Sequence, residues 1–192
     1  ATTTVFSQTN GGTTSAENLN ALPDEADIVV ALDRLQAMAP AVASVSLVVA
    51  WFGNDLRAGN CTIKPGVEVA TKVTSPKVWT VNGVARASAH LVSRDAEDRP
   101  VYGGTPADFA VVQAIREMKA RGLRVTFYPF LLMDVPPGNT LPNPYSANAA
   151  TPGQPSFPWR GRITCSPAAG YAGTADKTAG AATQVSAFFG AA

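Results

Sequence analysis

Two acids sit where apolar runs give way to polar residues: Asp55 follows Ser44–Phe52, and Asp134 ends Leu123–Met133. Around them in sequence lie Trp51, Asn54, Arg57, Tyr128, Trp159, Arg160 and Arg162. Aromatic rings cover pyranose faces, and a pair of carboxylates supplies acid–base or nucleophilic work at a glycosidic bond. These residue types point to glycan chemistry, with Asp55 and Asp134 as catalytic candidates and the other seven as glycan-binding candidates. A structural reading competes with it. Asp55 and Arg57 are close enough in sequence to cap a turn or pair with each other. Asp134, before Val-Pro-Pro, suits the start of a turn, and Trp159 in Phe157-Pro-Trp-Arg160 suits an anchor for a Pro-rich loop.

Other chemistries find little in the chain. The cysteines, Cys61 and Cys165, have neither CxxC nor Cys/His spacing, so no zinc site is expected. They are either one disulfide or two buried thiols. The sole histidine, His90, reads as an ordinary surface or packing residue. There is no GxSxG elbow, P-loop or HExxH, and no cofactor is implied. Gly103-Gly104 before a helix offers a weak anion-binding pattern. Charged residues are 15% of the chain and the net charge is +1, with no basic block for nucleic acid or a membrane surface. The longest apolar stretch, near Ser44–Phe52, is too short to insert into a bilayer.

The elements that must position these residues follow from periodicity and punctuation. In 192 residues with 46% hydrophobic content there is enough apolar material for a core. Residues 1–22, rich in Thr, Asn, Ser and Gly, read as an extended lead-in. A helix is expected from Pro23-Asp24-Glu25, with Ile28, Leu32, Leu35 and Met38 as its buried stripe and Pro40 ending it. Ser44–Phe52 carries no charge and predicts a strand buried on both faces. Asn82-Gly83 suits a tight hairpin turn, and Pro100–Gly103 a short strand. Thr105-Pro106-Ala107-Asp108 predicts a helix N-terminus capped by Thr105; Phe109, Val112, Ile115 and Met118 form its stripe and Gly122 its end. Leu123–Asp134 reads as a second strand, bent at or leaving the sheet at Pro129. Residues 135–175 hold eight prolines and predict a long irregular loop. A last helix is expected after an Asp176 cap, packing through Val185, Phe188 and Phe189.

The alternation of helices and strands predicts a parallel α/β architecture, and too few strands to close a barrel. The expected fold is an incomplete (β/α)8 TIM-barrel-like domain: the first two or three βα units with long irregular loops. Its expected span is 23–192, continuing beyond the chain end, and the N-terminal Ala1-Thr-Thr-Thr reads as a cut inside a longer chain.

Four stretches carry a resemblance: Ser46–Arg57, Arg99–Asp108, Val125–Phe130 and Phe157–Cys165. Together, in order over about residues 24–190, they resemble the glycoside-hydrolase TIM-barrel-like domain of gene transfer agent and phage host-specificity proteins, the large baseplate proteins sometimes called megatron. The resemblance implies a structural and host-interaction component of a virion-like tail tip. Such a protein is assembled in the bacterial cytoplasm and is extracellular after release. It is a homo-oligomer around the tail axis, joined to other tail and baseplate proteins, with envelope polysaccharide as its ligand. The alternative it implies is an active glycoside hydrolase degrading that polysaccharide, with further catalytic acids beyond Ala192.

Overall fold

β-Branched and aromatic residues dominate two runs of the chain, and each becomes a ten-residue strand. The computed structural model describes residues 1–8, 12–146, 148, 151–158 and 162–190. In chain order the elements are β1 (Phe6–Gln8), β2 (Thr14–Ala16), α1 (Asp27–Met38), β3 (Ser44–Gly53), β4 (Ile63–Lys64), β5 (Gly66–Val67), β6 (Thr74–Ser75), β7 (Thr80–Val81), β8 (Val84–Ala85), β9 (His90–Leu91), α2 (Asp108–Ala120), β10 (Arg124–Met133) and α3 (Ala179–Phe189). The sheets run β2-β1-β6, β10-β3-β4, β5-β9 and β7-β8.

This is a mixed α/β chain, but not the incomplete (β/α)8 barrel expected. The two long strands form a strand–helix–strand unit with parallel strands, as β3, α2 and β10. Arg124 N–H donates to the Ala43 carbonyl at 2.9 Å and Asp134 N–H to the Gly53 carbonyl at 2.8 Å, so β3 and β10 run in the same direction. The pairings β1–β2, β1–β6, β3–β4 and β7–β8 are antiparallel, in strands otherwise only two or three residues long. The reason lies in residues 56–98, where Gly, Pro and charged residues break every apolar run before a long strand can form. After Asp134 the prolines remove the amide donors that a further strand would need.

The chain divides into two compact units. The first comprises Ala1–Ala50, Val67–Leu91 and Gly104–Phe130. Its core is Leu32, Ala114, Met118 and Leu123, with Ile28, Leu35, Val45, Leu47 and Val125 packed against it. Helices α1 and α2 thus cover one face of the β3–β10 pair, and the residues between alternate outward: Val48 is 53% exposed, so β3 is not buried on both faces as expected. Arg121 ties the helices together, bonding Asp33 on α1 and Glu117 on α2. Residues 1–5 are held by Gln113, whose Oε1 accepts the Thr2 and Thr3 N–H groups, and by Asn18.

Local endings differ from the sequence reading in instructive ways. Helix α1 starts at Asp27, because its carboxylate accepts the Asn20 and Ala21 N–H groups and the Asn20 amide, while Leu22 and Glu25 form a bridge before it. Thr105 does not cap α2; its hydroxyl donates to the Ala50 carbonyl at 2.8 Å, and Ala107 is the N-cap residue. Gly104 N–H donates to Glu68 at 2.7 Å, so the Gly103-Gly104 anion pattern is met by the chain's own carboxylate. Gly122 ends α2 at φ +78°, and Asn82-Gly83 turns at φ +48° and +76°, a type I′ hairpin. Pro129 remains inside β10, tolerated because β10 is an edge strand of its sheet.

The second unit comprises Trp51–Gly66, Val92–Gly103 and Leu131–Ala192. Its core is Leu56, Cys61, Met133 and Val135, joined by Leu131, Leu141, Tyr145, Ile163 and Phe188. Thr178, not Asp176, caps α3, accepting the Gly180 N–H at 3.1 Å. Phe188 packs inward from α3, whereas Phe189 is 78% exposed. Pro100–Gly103 forms no strand beyond a single Arg94–Pro100 bridge. Both cysteines are free: Cys61 is buried, and burial pushes its thiol up, while Cys165 is half-buried.

Phe52 is 1% exposed, and a methyl group on Gly66 would meet its ring at 2.4 Å. Gly66→Ala is therefore expected to lower stability by about 1–3 kcal/mol, read as a shift of the urea midpoint. An unchanged midpoint would contradict this close approach. Under native conditions iodoacetamide should modify Cys165 before Cys61, with mass spectrometry of a time course as the check.

Candidate functional site

Where β3 ends at Gly53 the chain must turn, and Asn54-Asp55-Leu56-Arg57 does so with side chains in place of a regular ladder. Asn54 Oδ1 accepts the Thr62 N–H at 2.9 Å, closing the turn onto the segment leading to β4. Asp55 is 4% exposed and accepts from four donor groups, of which Arg57 Nε is shared between both oxygens. Oδ1 takes the Arg57 backbone N–H at 2.8 Å, Arg57 Nε at 3.1 Å and Gln154 Nε2 at 2.7 Å; Oδ2 takes Arg57 Nη2 at 2.7 Å. Arg57 and Asp55 thus form a bidentate pair, with 19% of the Arg57 side chain exposed.

Gln154 makes the turn a junction. Its Oε1 accepts the buried Leu56 N–H at 2.8 Å, and its Nε2 donates also to the Pro142 carbonyl at 2.9 Å. Asn139 holds Gln154 in turn, bonding its backbone N–H and carbonyl at 2.9 Å each. The Pro-rich loop is therefore stitched to Asp55 through amide side chains rather than through a strand. Burial alone would raise the Asp55 carboxyl; the bonds from Arg57 and Gln154 and the Arg57 charge outweigh it and hold it below the ordinary aspartate value.

Asp134 occupies a separate setting in the same unit. It is 3% exposed, and Oδ2 accepts the Ser93 N–H at 2.9 Å. Tyr102 lies nearby: its OH donates to the Met133 carbonyl at 3.5 Å, and burial, then the Asp134 charge, raises its phenol. Its ring meets Phe52 at 5.8 Å and Phe157 edge-on at 5.9 Å, and the Phe157 N–H donates to the Val135 carbonyl at 2.8 Å. Asp134 thus fixes the segment around Ser93 to the end of β10, with an aromatic group beside it.

The remaining sequence candidates are scattered. Trp51 is half-buried on β3, and Arg162 is exposed, with its carbonyl accepting the Tyr145 hydroxyl at 2.6 Å. Tyr128 belongs to the first unit, 50% exposed on β10 with its ring 6.1 Å from that of Phe130. Trp159 and Arg160 lie outside the described residues. Sequence reasoning misses Gln154, Asn139, Ser93 and Tyr102. Gln154 lies 99 residues from Asp55, and no local pattern marks a partner at that distance. Among the described residues no group of three or more His, Cys, Asp or Glu side chains is placed to hold a metal ion. No described helix is long and apolar enough to cross a membrane.

What the arrangement can do chemically follows from its bonding. The Asp55 carboxylate is oriented and held ionised by its donors, the state of a structural anchor; a general acid needs a raised pKa. No protein-family model matches the chain, and neither does any curated protein.

A carboxyl whose folded pKa lies below its unfolded value, about 3.9 for Asp, stabilises the fold above that unfolded value, and the contribution is lost as pH falls through the folded one. Asp55→Asn is accordingly expected to lower stability at neutral pH by about 1.5–3 kcal/mol, the worth of bonds to a charged group. The gap to the unsubstituted protein should close as pH drops below about 4, as urea unfolding across that range would show. A gap that widens on acidification would contradict the assignment.

Proposed function

We propose that this chain is a recognition and assembly component of a phage-like tail tip, of the gene transfer agent baseplate kind, and that it binds envelope glycan without cutting it. The observation that carries the non-hydrolytic part is that Asp55 is buried with both carboxylate oxygens engaged, Oδ1 by Arg57 and Gln154 and Oδ2 by Arg57, which leaves neither free to transfer a proton or to attack a sugar carbon. Asp134, bonded to the Ser93 backbone, likewise serves to hold two segments together. The hydrolase alternative has correspondingly less support.

The tail-tip part draws on the four stretches whose residues resemble that family. Several of those residues act as joints here: Asn54, Asp55 and Arg57 close the β3 turn, Tyr102 sits between Phe52 and Phe157, and Thr105 bonds the Ala50 carbonyl. A weakly charged scaffold with long irregular loops suits contact with other proteins and with glycans. In this reading the protein works at the tip of a virion-like particle, in several copies around the tail axis and bound to other baseplate proteins. It is assembled in the bacterial cytoplasm and exposed outside the cell after release.

The test uses full-length protein and envelope polysaccharide from a susceptible host. Co-sedimentation should show binding, and a reducing-end assay should show no release above a heat-denatured control. Release that disappears in Asp55→Asn or Asp134→Asn would overturn the non-hydrolytic reading. Absence of the protein from purified particles, probed by immunogold labelling, would overturn the tail-tip reading.

A further inference from the structure

Next to the Asp55 junction, within the second unit, an open cleft of about 380 Å³ is lined by Arg57, Asn60, Ser166, Thr183, Gln184 and Ala187. Its walls are fixed by hydrogen bonds. The turn 57–61 is closed by the Asn60 and Cys61 N–H groups on the Arg57 carbonyl, at 3.0 and 2.9 Å. The Ala58 N–H donates to the Thr164 carbonyl and the Thr164 N–H to the Leu56 carbonyl, at 2.8 and 2.9 Å, so this turn runs beside the segment leading to Ser166. Gln184 on α3 then clamps that segment, accepting the Ser166 N–H at 2.7 Å and donating to its carbonyl at 3.0 Å. Gly59 sits beside α3, where a methyl group would lie in ordinary contact with Gln184 Cγ at 3.4 Å.

Hydrogen-bonding side chains line this cleft beside apolar surface, and the cation of the lining is Arg57. Two nitrogens of Arg57, Nε and Nη2, bond Asp55, which balances its charge and orients the guanidinium plane. Arg57 itself lines the cleft, with its guanidinium held in place by Asp55. Thr183 Oγ1 donates to the Ala179 carbonyl, which keeps the oxygen's lone pairs available as acceptors. The Asn60 amide is exposed, and Ser166 adds a hydroxyl. An anion would find its attraction to Arg57 cancelled by Asp55, with no other cation in the lining to offset its desolvation. A ring bearing several hydroxyls, by contrast, meets donors and acceptors of the lining together with apolar surface against which its C–H face can lie.

We infer that this cleft between the 57–60 turn and α3 binds an uncharged sugar residue of the glycan. This inference rests on the glycan-recognition reading above and names the ligand class and the place. The Asp55–Arg57 pair then acts indirectly, by presenting a preoriented guanidinium edge to sugar hydroxyls.

The experiment is saturation-transfer NMR on the full-length protein with methyl glycosides of neutral hexoses, and with the matching hexuronates. At least one neutral glycoside should receive saturation, and the hexuronates should not. The double variant Asn60→Leu, Thr183→Val alters two exposed positions and should weaken binding on the order of tenfold without changing the thermal transition. If that transition moves, Ala187→Phe, at another exposed position of α3, fills the cleft and decides the matter by the same loss. Binding unchanged in these variants would overturn the cleft assignment. So would bound polysaccharide with no glycoside signal; either result leaves the recognition reading standing. Hexuronates binding as well as neutral sugars would overturn the ligand class. Failure of both glycosides and polysaccharide to bind would remove the recognition reading itself.

Discussion

A carboxylate can be taken out of water only where donors replace the water, and at Asp55 those donors come from two distant parts of the sequence. Arg57 supplies a bidentate guanidinium and a backbone N–H from the same turn, while Gln154 arrives from the Pro-rich loop. Because Gln154 also accepts the buried Leu56 N–H, the same side chain satisfies the anion and the backbone beside it. Much of the second unit depends on this arrangement. Prolines interrupt the loop too often for a long strand, so Asn139 and Gln154 hold it together with scattered backbone bonds such as Phe157 N–H to the Val135 carbonyl, and Leu56 at the junction is fully buried in the core with Met133 and Val135. The cleft flanked by α3 inherits its orientation from the same pair.

The first unit is held differently. Its helices bury one apolar stripe each against β3 and β10, and a single arginine, Arg121, bridges α1 and α2 at the end of that layer. Polar tethers matter there at the margins, where Gln113 and Asn18 secure residues 1–5. Packing carries the first unit, and side-chain hydrogen bonding carries the turns of the second.

That difference explains what was legible in the sequence. Elements with a strong period or a turn signal appear close to where they were expected: the two long strands, α2 with its Gly122 end, and the Asn82-Gly83 hairpin. Cap positions were misplaced where a side chain had a distant partner. Thr105 reaches Ala50, and Asp27 holds Asn20 and Ala21, neither of which a local pattern reveals. The barrel expectation is not met: the order of helices and strands implies repeated parallel units, whereas the residues between β3 and α2 form short pieces with antiparallel pairings. Of the candidate site, the Asp55–Arg57 pairing was among the readings open from sequence. Gln154, Ser93 and Tyr102 were not, since each reaches its acid from a remote segment.

The functional account turns on what Asp55 is for. Four donor groups make it an anchor that fixes a turn and aims a guanidinium, and the proposed recognition relies on the surface so held. The most direct measurement is the carboxyl titration of Asp55 in the full-length protein, followed by carbon-detected NMR and assigned with Asp55→Asn. The account predicts a midpoint below the ordinary aspartate value of about 3.9, as an ionised anchor requires. A midpoint raised toward neutrality would contradict it, because that is the state of an acid prepared to protonate a leaving group.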